Sequence, residues 1–127
     1  MDDQKLWWRL EWDDDHERLL LDIEGYFDEK EGVRGAERLR ELGSQGPFEL
    51  VADLSLMTGY DRATREAWQS TFIDLRRSIK AVHFVGLGPV FRMAAATVCL
   101  AARIPAYFYE SADAIPRAGG PTVGRRS

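Results

Sequence analysis

The chain is poor in the residues that make covalent, metal or catalytic chemistry. Its 127 residues include one cysteine, Cys99, so no disulfide can close within it. Cys99 sits in the apolar run Met93–Ala102 and reads as a small buried hydrophobe. The two histidines, His16 and His83, are far apart, and neither has a Cys, Asp or Glu at metal-ligand spacing. No metal and no cofactor is therefore expected. There is no Gly-x-Ser-x-Gly elbow, no P-loop and no Cys-x-x-Cys. Spacing nominates no catalytic residue, and the chain is not expected to be an enzyme.

Positive charge is also short. Seventeen Lys and Arg stand against 21 Asp and Glu, for a net charge of −4. A nucleic-acid binder needs a basic face to neutralise phosphates, and the short clusters Arg38 with Arg40, Arg76 with Arg77 and Arg125 with Arg126 read as solvated surface. No nucleic-acid partner is expected. The longest apolar run is too short to span a bilayer, so no transmembrane segment is expected. The opening Met1–Gln4 is acidic and polar, unlike a secretory leader. The expected compartment is the cytoplasm.

What is present is an ordinary globular balance of 45% hydrophobic and 30% charged residues, at the size of one domain. Leu6–Trp12 and Arg18–Glu24 read as a hairpin around the polar turn Asp13-Asp14-Asp15. Glu29–Leu42 reads as a helix carrying Gly32 and Gly35, ended by Gly43–Pro47. Phe48–Leu54 reads as a central strand and Ser55–Tyr60 as a loop. Asp61 is placed to cap the next helix, whose stripe runs Trp68, Phe72, Leu75, Ile79. Ala81–Val85 is a strand, Gly86-Leu87-Gly88 a turn, and Pro89 suits the first turn of a helix over Val90–Arg103 that is apolar nearly all round. Pro105–Tyr109 is the last strand, and Ser111–Ile115 a short final helix. The order β-β-α-β-α-β-α-β, with a C-terminal helix, predicts an α/β fold with a mixed sheet.

The segment Val51-Ala52-Asp53-Leu54-Ser55, followed by Leu56-Met57-Thr58-Gly59-Tyr60-Asp61, resembles the signature of STAS domains, the anti-sigma-factor antagonists and their relatives. The element order agrees over Leu6 to Ile115, and Gly59–Arg65 with Trp68 looks closer to a divergent bacterial branch. The resemblance implies one STAS-like domain over 1–117, and 118–127, rich in Gly, Pro and Arg, reads as a flexible tail. It also implies a non-enzymatic regulatory module that switches protein partners, among them kinase-like ATPases and sensors. In that family a kinase phosphorylates the serine after the second Asp. Asp53, Ser55 and Asp61 match the motif, but the acceptor position is Arg62, which cannot take a phosphate. Thr64, two residues on, is the alternative acceptor.

A physical argument points to the same place. Ligands and partners of parallel sheets use the carboxyl ends of the strands. There the candidate partner-binding residues are Ser55, Thr58, Tyr60, Asp61, Arg62, Thr64 and Arg65. A candidate anion site is formed by Gly86, Gly88 and Arg92, a glycine turn entering a helix. Besides the partner-protein module, two further functions fit. A small-molecule, anion or lipid binder would require an apolar pocket beside these loops. A self-associating structural protein, such as a homodimer, would use Trp7, Trp8 and Trp12, with Trp8 and Trp12 on one side of the strand and Trp7 on the other.

Overall fold

In a computed structural model, residues 5–13 and 17–116 are described. Asp14, Asp15 and His16, the opening Met1–Gln4, and the tail at 118–127 with Arg125 and Arg126 lie outside them. The elements are β1 (Trp7–Trp12), β2 (Arg18–Phe27), α1 (Glu29–Gly43), β3 (Phe48–Tyr60), α2 (Arg62–Asp74), β4 (Ile79–Val85), α3 (Pro89–Ala102) and β5 (Ala106–Tyr109), then a single 3₁₀ turn at Ala112–Ala114. The α/β fold with its mixed sheet is the expected one.

The five strands lie side by side in chain order, β1 antiparallel to β2 and every later pair parallel. Right-handed crossovers along a sheet that never reverses direction put all three helices on one face. The strands alternate accordingly. Leu19, Leu21 and Ile23 of β2, Leu50, Ala52 and Leu54 of β3, and Val82 and Phe84 of β4 are buried in one core. The other face carries Arg18, Asp22, Glu49, Asp53, His83 and Tyr107.

Three local expectations are corrected. Ser55–Tyr60 is not a loop: β3 continues through it and pairs with β2 from Glu24↔Leu56 to Phe27↔Tyr60, after a register shift at Asp22/Glu24. Ile79 is not on the α2 stripe. That helix stops at Asp74, and Ile79 opens β4, where it is buried opposite Phe48. The final helix at Ser111–Ile115 is only the 3₁₀ turn.

The glycines of α1 do not break it. A Cβ on Gly32 would stand 2.6 Å from the Cβ of Thr64 and nearer still to its hydroxyl, so α1 and α2 approach as closely as they do because that position is bare. On β1, Trp8 and Trp12 turn to the helix side and contact Phe27 and Phe48, with Trp8 Nε1–H donating to Glu31 at 2.9 Å. Trp7 points the other way and is exposed.

Candidate functional site

β3 and β4 are neighbours, so their carboxyl ends form one edge. Pairing between them ends at Asp53↔Val85, where the chain turns at Gly86 with φ +79°. Only glycine fits there: a Cβ would stand 2.6 Å from Cα of Ser55, and the left-handed backbone disfavours any side chain. Ser55 and Gly86 are thus in contact. The exposed Ser55 hydroxyl donates to Asp53 Oδ1 at 2.7 Å, and its backbone N–H to the same oxygen at 3.1 Å.

The start of α2 differs from expectation in two ways. Asp61 makes no side-chain cap on its own helix. Its carboxylate instead accepts from the backbone N–H of Glu29 at 2.7 Å, in the first turn of α1, and from the Tyr26 hydroxyl at 2.7 Å. Asp28 caps α1 as well, accepting from the Glu31 N–H at 2.9 Å. Two carboxylates therefore serve one helix start, where free N–H groups and the helix dipole favour negative charge. The hydrogen bond to Asp61 raises the Tyr26 phenol above its ordinary value.

The second difference is Thr64, which is 3% exposed. Its hydroxyl is within hydrogen-bond distance of the carbonyls of Phe27, at 3.1 Å, and Asp28, at 2.8 Å. The acceptor role expected of Thr64 requires an accessible hydroxyl; this one is enclosed between two helices and serves as a packing bridge.

The other candidates divide. The Arg62 side chain is 84% exposed and pairs with Glu66 at 3.1 Å, one helical turn on. Thr58 is exposed, while Tyr60 packs its ring on Phe91 at 5.5 Å, toward α3. The Arg65 guanidinium is partly exposed and has no ion-pair or hydrogen-bond partner among the described residues. Gly88 is the exposed N-cap residue before Pro89 of α3, and Arg92 lies 5.1 Å over the Phe108 ring. That is a cation–π contact with β5.

Between the sheet, α2 and α3 lies an apolar cavity of about 110 Å³ that opens to solvent. Its walls include Leu54, Met57, Trp68, Leu87, Phe91 and Ala95, and Arg65 is the one charged residue in its lining. A pocket of this kind is what the small-molecule reading requires.

On the helix-free face, His83 is buried between two strand neighbours. Its Nε2 is 2.6 Å from Glu49 Oε1 and its Nδ1 3.0 Å from the Tyr109 hydroxyl, with Tyr107 stacked on the ring. Burial lowers the imidazole pKa below 6.5, and Glu49 opposes that shift in part. Arg18 adds an ion pair to Glu49 at 3.9 Å and donates to the Pro116 carbonyl. Among the described residues no group of three or more His, Cys, Asp or Glu could hold a metal ion. No helix there is long and apolar enough to cross a membrane.

Sequence reasoning missed Tyr26 and the cavity. Tyr26 and Asp61 are separated by 35 positions, and no spacing rule links them. The cavity residues come from five elements and the turn after β4, and look in sequence like ordinary core.

The architecture is that of SpoIIAA-like, STAS-type domains. The solved structures that resemble it over most of the chain include these three. One is an uncharacterised protein of the DUF3478 family with a SpoIIAA-like fold from Shewanella loihica PV-4, with TM-score 0.69, 14% identity, and 89% of this chain and 94% of that one covered. The second is the anti-sigma factor antagonist SpoIIAA in its unphosphorylated form, with TM-score 0.62, 10% identity, and 84% and 90% covered. The third is an anti-sigma factor antagonist from Mycobacterium paratuberculosis, with TM-score 0.61, 18% identity, and 86% and 89% covered. At such identities the likeness is one of fold. No family model and no curated protein matches the chain.

Proposed function

We propose that this protein is a non-catalytic regulatory module, acting in the cytoplasm, that binds a partner protein through the edge where β3 ends and α2 begins. It works without the phosphoserine switch of the STAS-type antagonists. The observation that carries this is the chemistry at the start of α2. Arg62, projecting into solvent, occupies the acceptor position, and the next hydroxyl, Thr64, is enclosed, within hydrogen-bond distance of two carbonyls. Around it stand Tyr26, Thr58 and Arg65 (Tyr26 and Thr58 exposed, Arg65 partly so). Tyr and Arg anchor interfaces because they combine contact area with directional hydrogen bonds.

The test is affinity capture from the native host, with Arg62→Glu beside wild type and Arg38→Glu, on the exposed face of α1, as control. A protein retained by wild type and Arg38→Glu but lost with Arg62→Glu supports the reading. A kinase-like ATPase or a sensor is the expected class. Equal retention by all three removes the proposed surface. Intact-mass measurement of protein from the host addresses the switch, and a phosphate on Ser55 or Thr64 would contradict it.

Self-association is a second reading, favoured by the outward side of α3, where Val90, Met93 and Leu100 are exposed at 76%, 72% and 78%. Light scattering decides it, with Met93→Lys on that side of α3 and Trp7→Ser on β1 as comparisons. A monomer at every concentration sinks the idea.

A further inference from the structure

We propose that the groove on the helix-free face, toward the carboxyl ends of β2 and β3, is a docking site for a basic segment of a partner protein, one in which an arginine stands next to a large apolar residue. The cation pairs with Glu24 and Asp53, and the apolar neighbour packs on Trp7 and Leu56. This stands apart from the edge surface proposed above, since no residue of α2 lines the groove.

Three observations carry it. The first is shape. Trp7 of β1, Glu24 of β2 and Leu56 of β3 are paired in one row across three neighbouring strands. The register shift between Asp22 and Glu24 sets two residues of β3, Leu54 and Ser55, opposite Ile23 alone. Ser55 and Leu56 both line the resulting groove, which encloses about 140 Å³. Pairing of β3 with β4 has already ended at Asp53↔Val85, so β3 has no strand on its other side here among the described residues. The second is apolar surface. Trp7 and Leu56 are 47% and 55% exposed, one on each side of Glu24. Two large apolar side chains flanking one groove leave area for a partner to cover. The third is charge. The lining holds Asp22, Glu24 and Asp53 and no cation. Asp22 is held by Arg9 at 2.5 Å, and Arg9 is shared with Glu11 at 2.6 Å. Among the described residues Asp53 accepts only from the hydroxyl and N–H of Ser55, and Glu24 has no hydrogen-bond or ion-pair partner. Two carboxylates therefore stand without a counter-ion between an exposed indole and an exposed leucine.

That combination selects the occupant. A phosphate-bearing partner, nucleic acid included, would meet carboxylates and be repelled. A bare metal ion would leave Trp7 and Leu56 uncovered, and no group of three or more ligating residues is present for one among the described residues. A guanidinium answers both parts: it pairs with carboxylates through parallel hydrogen bonds and stacks on an indole face. A cavity of ~150 Å³ holds a benzene ring, so the 140 Å³ here takes one such planar head.

The experiment uses the full chain with three capped peptides as probes: Leu-Arg-Leu-Arg-Leu, its acidic counterpart Leu-Glu-Leu-Glu-Leu, and Gly-Arg-Gly-Arg-Gly. The readout is the Trp7 indole N–H resonance, which Trp7→Phe assigns. The first peptide should shift it saturably and bind about ten-fold more tightly than either of the others. Glu24→Gln/Asp53→Asn should weaken that binding about ten-fold, and Leu56→Ser, which keeps both carboxylates, about three-fold. Arg62→Glu should leave it unchanged, and a loss there would move the binding to the edge surface and overturn the proposal. No saturable shift overturns it as well, as does equal binding of the acidic peptide or unchanged binding in the double charge variant. Where that variant does not fold, unchanged binding in Leu56→Ser has the same force. Light scattering of the same samples covers the other occupant: self-association abolished by Glu24→Gln/Asp53→Asn would give the groove to a second copy and overturn the proposal.

Discussion

Replacing Gly32 by alanine should destabilise this protein, against the usual direction for a helix. A glycine-to-alanine change within a helix normally gains up to about 1 kcal/mol, because alanine loses less backbone entropy. Here the new methyl would lie 2.6 Å from Cβ of Thr64 and closer to its hydroxyl. Thr64 cannot simply rotate away, since its hydroxyl is shared between the carbonyls of Phe27 and Asp28 and its side chain is enclosed. Either α1 and α2 separate, or Thr64 gives up its bonds. Overpacking of this kind costs about 1–3 kcal/mol, and loss of the hydroxyl's hydrogen bond about 1 kcal/mol. The net is a loss of about 1–3 kcal/mol after the propensity gain. Urea unfolding followed by tryptophan fluorescence and by circular dichroism measures it. The double variant Gly32→Ala/Thr64→Gly separates the clash from everything else, because removing the Thr64 side chain should make its loss smaller than the sum of the two single losses. A Gly32→Ala protein as stable as wild type, or more so, would refute the helix–helix contact described above.

Asp61→Ala should lower stability by about 1–2 kcal/mol through loss of a helix cap. The hydrogen exchange that accelerates should be that of the Glu29 amide at the start of α1, since α2 carries no such bond. Faster exchange confined to α2 would contradict this. His83, with its pKa lowered by burial, should titrate below 6.5 by histidine-selective NMR. The unfolded chain binds that proton first as pH falls, so this histidine's contribution to stability is intact above about pH 6.5 and is lost progressively below it. A pKa above 6.5 would reverse the sign and indicate that Glu49 outweighs burial. The Cys99 thiol, 1% exposed and pushed up to about 12, should resist a thiol reagent in the native protein and react only on unfolding. Rapid labelling of the folded chain would contradict the placement of α3.

The sequence by itself determined the layered α/β architecture, because each element carries its own periodicity. β2 alternates along its length, and the apolar run from Phe48 to Leu54 marks a strand buried on the helix side of the sheet. The turn at Gly86 was legible for a similar reason, since a left-handed residue between strand and helix leaves a glycine as its trace. The end of β3 was not. Ser55–Tyr60 contains exposed Ser, Leu and Thr and reads as a loop, yet β2 continues beside it and completes its hydrogen bonds. Side-chain pattern reports burial, and backbone pairing across strands leaves no such mark. The candidate site was half legible for the same physical reason. The Asp61-Arg62 motif is contiguous and could be seen. Which helix the Asp61 carboxylate caps, which hydroxyl is enclosed by a bare position on the neighbouring helix, and where α2 and α3 part to leave a cavity are relations between elements distant in the chain, and only their packing decided them.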